Sequence, residues 1–284
     1  MLDFLLTPFT LPFMQRALIA SALVGGLCAV IGCYVVLRGM AFLGDALAHA
    51  ILPGVAIAFV LGGDLFLGAL IMSIVAAIGI GYLTRGGRVR EDTAIGIIFS
   101  GALALGVVLI SSVRAYQTDL SHILFGNVLG VSNRDLALSI GFGLVVLAAI
   151  ALLYKEFLVF TFDPTFAATL RLPVGALRYL LVILLAVTVV VSLQTVGVGL
   201  VAAMLVTPGA AAALLTRRLS HMMIVAAAIG VSSSIVGLYV SYYLNVSTGA
   251  SIVLVCTLVF ILALVFSPRD GSFVRRHGQS RPGR

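Results

Sequence analysis

The sequence predicts an all-α, polytopic transmembrane helical bundle of about eight or nine spans with discontinuous or re-entrant helices, and three observations carry that expectation. The first is composition. Of 284 residues, 62% are hydrophobic and 10% are charged, with a mean hydropathy of +1.23, whereas a soluble domain covers itself with roughly 25% charged residues. The second is the length of the apolar runs, such as 177–193, which match the roughly 20 residues a spanning helix needs. These runs do not alternate apolar with polar as the strands of a membrane β-barrel do. The third is the presence of Pro53, Gly54, Gly197, Gly199, Pro208 and Gly209 in or beside two of the runs. Helix breakers at membrane depth require protein or a water-filled cavity to satisfy the freed backbone groups, so they hint at a pathway.

Reading the runs between charged or Gly/Pro-rich breaks gives candidate spans at 17–37, 44–61, 65–83, 94–113, 136–154, 177–194, 198–215, 222–243 and 250–267. The breakers fall in or beside 44–61 and 198–215. The run after Arg16 extends to Leu37, too long for the apolar core of a cleaved signal peptide, so the first span is expected to stay. If every run crosses once and the C-terminus is cytoplasmic, the cytoplasmic side receives all of the 17 basic residues except Arg16, Arg114 and Arg134. The positive-inside rule selects that orientation. It divides the chain into a membrane domain over 1–267 and a basic cytoplasmic tail over 268–284, whose Pro, Gly and Arg content predicts disorder. The net charge of +7 is dispersed through loops instead of gathered with aromatics on one face, which speaks against nucleic acid as a partner and leaves membrane lipid. Cys28, Cys33 and Cys256 lack metal-knuckle or redox spacing and read as small core residues. Gly25, Gly26 and Gly32, with Gly101 and Gly106, recur at spacings that suit close helix approach.

Ionisable groups inside hydrocarbon cost at least about 2.5–3.5 kcal/mol each, so they persist when paired, hydrated or used. The segment Gly44-Asp45-Ala46-Leu47-Ala48-His49-Ala50-Ile51-Leu52-Pro53-Gly54 holds two. Asp45 and His49 are one helical turn apart on one face, where a carboxylate oxygen and an imidazole nitrogen can converge on a cation. That donor pair suits zinc, manganese or ferrous iron, and the lack of nearby thiolates argues against copper(I). Spacing alone leaves another reading open, in which Asp45 caps the helix start or hydrogen-bonds His49, because a zinc site takes three or four ligands. His122 is a further candidate on the outer side. His221 lies at a cytoplasmic loop. The chain has no G-x-x-x-x-G-K-[ST] loop, so ATP chemistry by that route must come from a partner. Two stretches could receive one: Asp163 through Arg171 to Pro173, and Ala211 through Thr216, Arg217 and Arg218 to Leu219. Each reads as a short helix suited to a groove on another protein, or to lying on the bilayer surface.

The run Leu37-Arg38-Gly39-Met40-Ala41-Phe42-Leu43-Gly44-Asp45-Ala46-Leu47-Ala48-His49-Ala50-Ile51-Leu52-Pro53-Gly54 resembles the zinc/manganese/iron ABC permease family. So do Met14-Gln15-Arg16-Ala17-Leu18, Leu124-Phe125-Gly126-Asn127, Val196-Gly197-Val198-Gly199-Leu200-Val201 and Thr207-Pro208-Gly209-Ala210. The resemblance covers nearly the whole chain. It implies the membrane subunit of a metal importer in a bacterial plasma membrane, with Asp45 and His49 on the ion and no permanently bound cofactor. It also implies a second permease copy, two cytoplasmic ATP-binding subunits and an extracytoplasmic metal-binding protein. The cytoplasmic stretches then become coupling elements, the one around Arg217 and Arg218 foremost. The family's usual Ser-His dipeptide is Ala48-His49 here, so no hydroxyl precedes the imidazole. The form of Arg38 to Asp45 most resembles zinc permeases, which favours zinc as cargo. Transport is expected by alternating access, Asp45 offsetting the ion's charge and His49 selecting against magnesium and calcium. Because neutral imidazole is the ligand, acidification is expected to weaken uptake. A gradient-driven metal transporter or channel is the alternative, and would call for relay residues in several spans.

Overall fold

The structure, a computed structural model, describes residues 11–85, 89–112 and 130–267. Among these residues every regular element is a helix. The helix α1 (Pro12–Leu37) is followed by α2 (Ala41–Ala50) and α3 (Leu52–Val60), then α4 (Leu65–Leu83) and α5 (Glu91–Ser111). After residues outside the description come α6 (Asn133–Leu152) and two short helices, α7 (Tyr154–Phe162) and α8 (Pro164–Thr169). The chain closes with α9 (Val174–Val196), α10 (Val198–Leu215), α11 (Leu219–Leu244) and α12 (Thr248–Phe266).

Eight helical segments of the described chain are long and apolar enough to cross a bilayer, with Ala41–Val60 counted as one span across α2 and α3. The shorter apolar stretch Gly199–Leu215 of α10 adds to them. Of the two runs that carry breakers, the first is interrupted and the second is not. In the first, Ile51 joins α2 to α3 in a helical conformation. A break precedes the second, at Gly197 with φ +82°, a backbone region open to glycine. Pro208 then sits inside a continuous α10.

Local chemistry fixes the remaining ends. Pro12 opens α1, where a missing N–H costs nothing. At the far end of α1 the amides of Arg38, Gly39 and Met40 bond back to the carbonyls of Tyr34, Val36 and Val35, with Gly39 at φ +68°. The result is a turn of three residues with no slack before α2. Asp64 caps α4 by accepting the Phe66 amide at 2.9 Å. Ser132 and Asp135 form a reciprocal capping box at α6.

The core is built around α1, which packs against α6, α9, α10 and α11. Tyr34, Leu27 and Ile31 are among its fully buried side chains. Close backbone approach there demands glycine: a Cβ on Gly32 would overlap the Leu205 carbonyl oxygen, and one on Gly25 would meet Ser234 and the Gly230 carbonyl. Gly101 differs from the expectation, since a Cβ there would meet nothing within 4 Å. Cys28, Cys33 and Cys256 are buried and free, as expected of core residues. A second group packs α2 and α3 against α4 and α5, with α9 and α10 touching both groups. Outward-facing side chains such as Leu61, Leu152, Leu254 and Phe266 are large and apolar, the pattern of a lipid-facing surface.

Polar contacts gather at two opposite ends. At one, Arg16 reaches Asn133 at 3.4 Å and Arg134 pairs with Asp64. The Phe66 amide first, and Arg134 after it, hold the Asp64 carboxyl below its usual range. At the other end Arg38, Glu91 and Arg178 meet beside the carbonyls of Thr84 and Phe160. Met204 lies near Gly25 and Gly209 near Gly32, so α10 runs parallel to α1 and ends with it at this second, basic end. The Ser267 hydroxyl donates to the Leu214 carbonyl there at 3.1 Å. The tail over 268–284 lies outside the described residues.

One expected element takes a different form. Ala211 to Leu219 is no separate helix: Ala211–Leu215 completes α10, Thr216–Arg218 forms a turn, and Leu219 begins α11. Thr216 adopts an extended conformation (φ −128°, ψ 159°) while its hydroxyl bonds the Ala212 carbonyl at 2.7 Å, which ends α10. The stretch from Asp163 does form a helix, α8. Its cap is Asp163, whose carboxylate accepts the amides of Thr165 and Phe166 at 2.9 Å each.

Candidate metal site

Asp45 and His49 sit inside α2, four and eight residues after its first residue, which is about 6 and 12 Å along the axis. His49 is therefore close to the midpoint of the span Ala41–Val60. Asp45 does not cap the helix: the N-cap is Met40, and no side chain caps that end. The break in the span comes directly after His49. Pro53 is the residue whose amide would normally bond the His49 carbonyl, and it has no N–H. The Ile51 amide turns back to that carbonyl instead. Neighbours hold the break closely: a Cβ on Gly54 would overlap Gly68 of α4, and one on Gly106 of α5 would come within 2.8 Å of Leu52.

The His49 Nε2 and the Asp45 Oδ1 lie 3.7 Å apart. That is too long for a hydrogen bond, which needs about 2.7–3.2 Å. It is close to the separation of about 3.4 Å that a tetrahedral ion imposes on two donors at about 2.1 Å each. The same distance is that of an ion pair when the imidazole is protonated. Both side chains keep access to the protomer surface, 24% for His49 and 37% for Asp45. An aromatic collar flanks them. Phe99 of α5 stands edge-on to the imidazole at a centroid distance of 5.6 Å and to Phe42 at 5.9 Å.

Among the described residues no third His, Cys, Asp or Glu joins this pair. His122 lies outside the described residues. His221 is exposed near the start of α11, its Nδ1 3.5 Å from the Ser220 hydroxyl. Asp163 and Arg171 flank α8, and Thr216, Arg217, Arg218 and Leu219 make the turn into α11. Phe42 could have been found in the sequence, being three and seven residues from the pair and so on its face. Phe99 could not, since it arrives from another helix. Ala48 is buried, at 1% exposure, so it does not share the open face of Asp45 and His49.

The ABC 3 transport family matches residues 10–267. The manganese transport system membrane protein MntC of Halalkalibacterium halodurans is 52% identical over 93% of this chain and 90% of its own. A probable iron transport system membrane protein of Haemophilus influenzae is 43% identical over 94% and 98%. Among solved structures, PsaBC from Streptococcus pneumoniae in complex with Fab superposes with a TM-score of 0.85 at 39% identity, covering 96% of this chain and 99% of that one. The expectation of zinc is not borne out, because these relatives are named for manganese and iron. The physical reason is plain: one imidazole and one carboxylate suit all three metals, and the stretch from Arg38 to Asp45 that suggested zinc contributes one donor only.

Proposed function

The chain belongs to the ABC 3 transport family, and on that premise we propose that it is the membrane-spanning subunit of an ATP-driven importer for manganese, with ferrous iron as the other cargo its donor set suits. The observation that carries this reading is the Asp45–His49 pair, open to the protomer surface inside a span, with His49 near its midpoint beside a helix break. A charged side chain facing lipid inside a span is costly, by about 2.5–3.5 kcal/mol at its centre. The pair therefore faces protein or water. A second copy related by a two-fold axis supplies the same pair again, giving two carboxylates and two imidazoles around one path. Four such donors strip the hydration from a dication, and the imidazoles favour a transition metal over magnesium or calcium.

ATP enters through partner subunits that bind at the basic end, which the positive-inside rule puts in the cytoplasm together with the C-terminus. The metal arrives from an extracytoplasmic binding protein at the opposite end. Of the two coupling stretches, α8 suits the task better than the turn at Thr216–Arg218. It is a capped helix that projects Phe166 and Leu170, both about half exposed, from the basic end. Coupling requires the outward and inward states to differ in affinity for the ion. A gradient-driven carrier is less favoured, because among the described spans His49 is the one Asp, Glu, His, Lys or Arg near mid-depth, with Asp45 a turn before it, where a relay would need several.

The test is uptake of radioactive Mn²⁺ by the full chain reconstituted with its ATPase partners. Removing an outer partner of a metal ligand typically costs about 10–100-fold, so loss of a ligand itself in D45N or H49A is expected to cost more than about 100-fold. Assembly with the ATPase should persist. Undiminished uptake by both variants would end the assignment.

A further inference from the structure

The site rests on two helices, and both begin in one cluster of charges. Arg38 occupies the three-residue turn that launches α2, which carries Asp45 and His49. Glu91 opens α5, which carries Phe99 against the imidazole. The Arg38 Nη2 lies 3.7 Å from the Glu91 carboxylate. Glu91 is at the same time in direct contact with Arg178 of α9, and Arg178 also reaches the Thr84 carbonyl at the end of α4 at 3.5 Å.

Arg38 is held from a third side as well. Its Nη1 donates to the Phe160 carbonyl of α7 at 3.3 Å, and its guanidinium lies 4.2 Å from the centre of the Phe160 ring. Phe160 stands three residues before Asp163, the cap of α8. A continuous chain of contacts thus runs from the exposed helix α8 through Phe160 and Arg38 to the rigid turn before α2, and so to the metal pair.

The charge balance leaves this cluster poised between arrangements. One carboxylate serves two guanidiniums, and in this structure it is engaged with Arg178 while Arg38 stands beyond hydrogen-bond reach. The buried Nε of Arg38 has no hydrogen-bond partner among the described residues. The α7 carbonyl of Phe160, the Arg38 guanidinium and the Glu91 carboxylate thus adjoin the starts of α2 and α5 in one contact network.

We propose that Arg38 and Glu91 form a positioning node that passes movement of α7 and α8 to Asp45 and His49, with Glu91 exchanging between Arg178 and Arg38 as the transporter alternates. The node rests on the importer reading above. Neither residue touches the ion. Their task is to set the two helices whose faces make its site.

The test measures Mn²⁺ carried and phosphate released together, with the full chain and its ATPase partners in liposomes. E91Q keeps the shape of the side chain and removes its charge. It is expected to lower the ions carried per ATP by about tenfold, within the range of measured coupling effects, while hydrolysis continues and the half-saturating Mn²⁺ concentration stays within about twofold. E91D, which restores the charge, should recover most of the ratio. R38K, which keeps a charge but loses the guanidinium fork and its hold on Phe160, should repeat the loss. The ratio does not depend on how much complex assembles, so reduced yield of a variant does not obscure it. An unchanged ratio in E91Q, or an E91D variant no better than E91Q, would overturn the node. Run alongside, the wild type and the site variants separate the two ideas: uptake absent from the wild type overturns the importer reading and the node with it, whereas undiminished uptake in both D45N and H49A removes the metal pair that the node is proposed to set.

Discussion

Asp45 and His49 show how far side-chain spacing alone reaches into a membrane protein. Their separation by one helical turn could be read from the sequence, and the structure leaves 3.7 Å between their nearest polar atoms, a gap suited to an ion. Their surroundings were less legible. Phe42 follows from helical geometry, but Phe99 depends on the packing of α5 against α2, for which periodicity has no signal. The missing hydroxyl at Ala48 turns out to concern the core: the residue is buried at 1% exposure, away from the open face of the pair. A48S is therefore expected to leave Mn²⁺ uptake within about twofold of wild type, and to lose stability instead if the added hydroxyl finds no carbonyl, at a cost of about 1–3 kcal/mol. Uptake and melting temperature measured on the same preparation check both parts.

Among the elements, the spans were legible because hydrocarbon requires long apolar helices, and 65–83 matches α4 residue for residue. Their ends were less so, because caps such as the Ser132–Asp135 box extend a helix beyond its apolar run. The glycines sort by contact, which spacing could not show. At Gly32 a Cβ would overlap the Leu205 carbonyl oxygen, whereas at Gly101 it would meet open space. G32A is expected to destabilise the protein by about 1–3 kcal/mol, the usual cost of overpacking. G101A should be neutral or stabilise by about 0.5–1 kcal/mol, because alanine loses less freedom in a helix. Thermal unfolding of the two variants in one detergent measures the contrast. The stretch from Ala211 to Leu219 looked helical for a related reason: its small and apolar residues suit a helix, and they do form one, as the last turn of α10. What spacing missed is the extended conformation at Thr216 that separates α10 from α11. That leaves α8 as the free-standing helix at the basic end.

For the whole molecule, the ordering of charge is the feature that both sequence and structure carry. The loops that hold most of the described arginines meet at one end, where Arg38, Glu91 and Arg178 tie α1, α5 and α9 together, and Asp64 with Arg134 marks the other. Between them the described protomer presents one carboxylate and one imidazole on an open face of α2, half of what the proposed ion site needs, which is why a second copy enters the proposal. The family assignment explains why such a chain carries no phosphate-binding loop of its own. Which metal is carried was the least legible property, since one imidazole with one carboxylate, the proposed donor pair, does not distinguish manganese from iron or zinc. The central claim, that His49 and Asp45 hold the transported dication, is most directly tested by pulsed electron paramagnetic resonance on the assembled transporter with one equivalent of Mn²⁺. Coupling of the metal to an imidazole nitrogen is expected in the wild type and should vanish in H49A. The same nitrogen coupling in both would contradict the account.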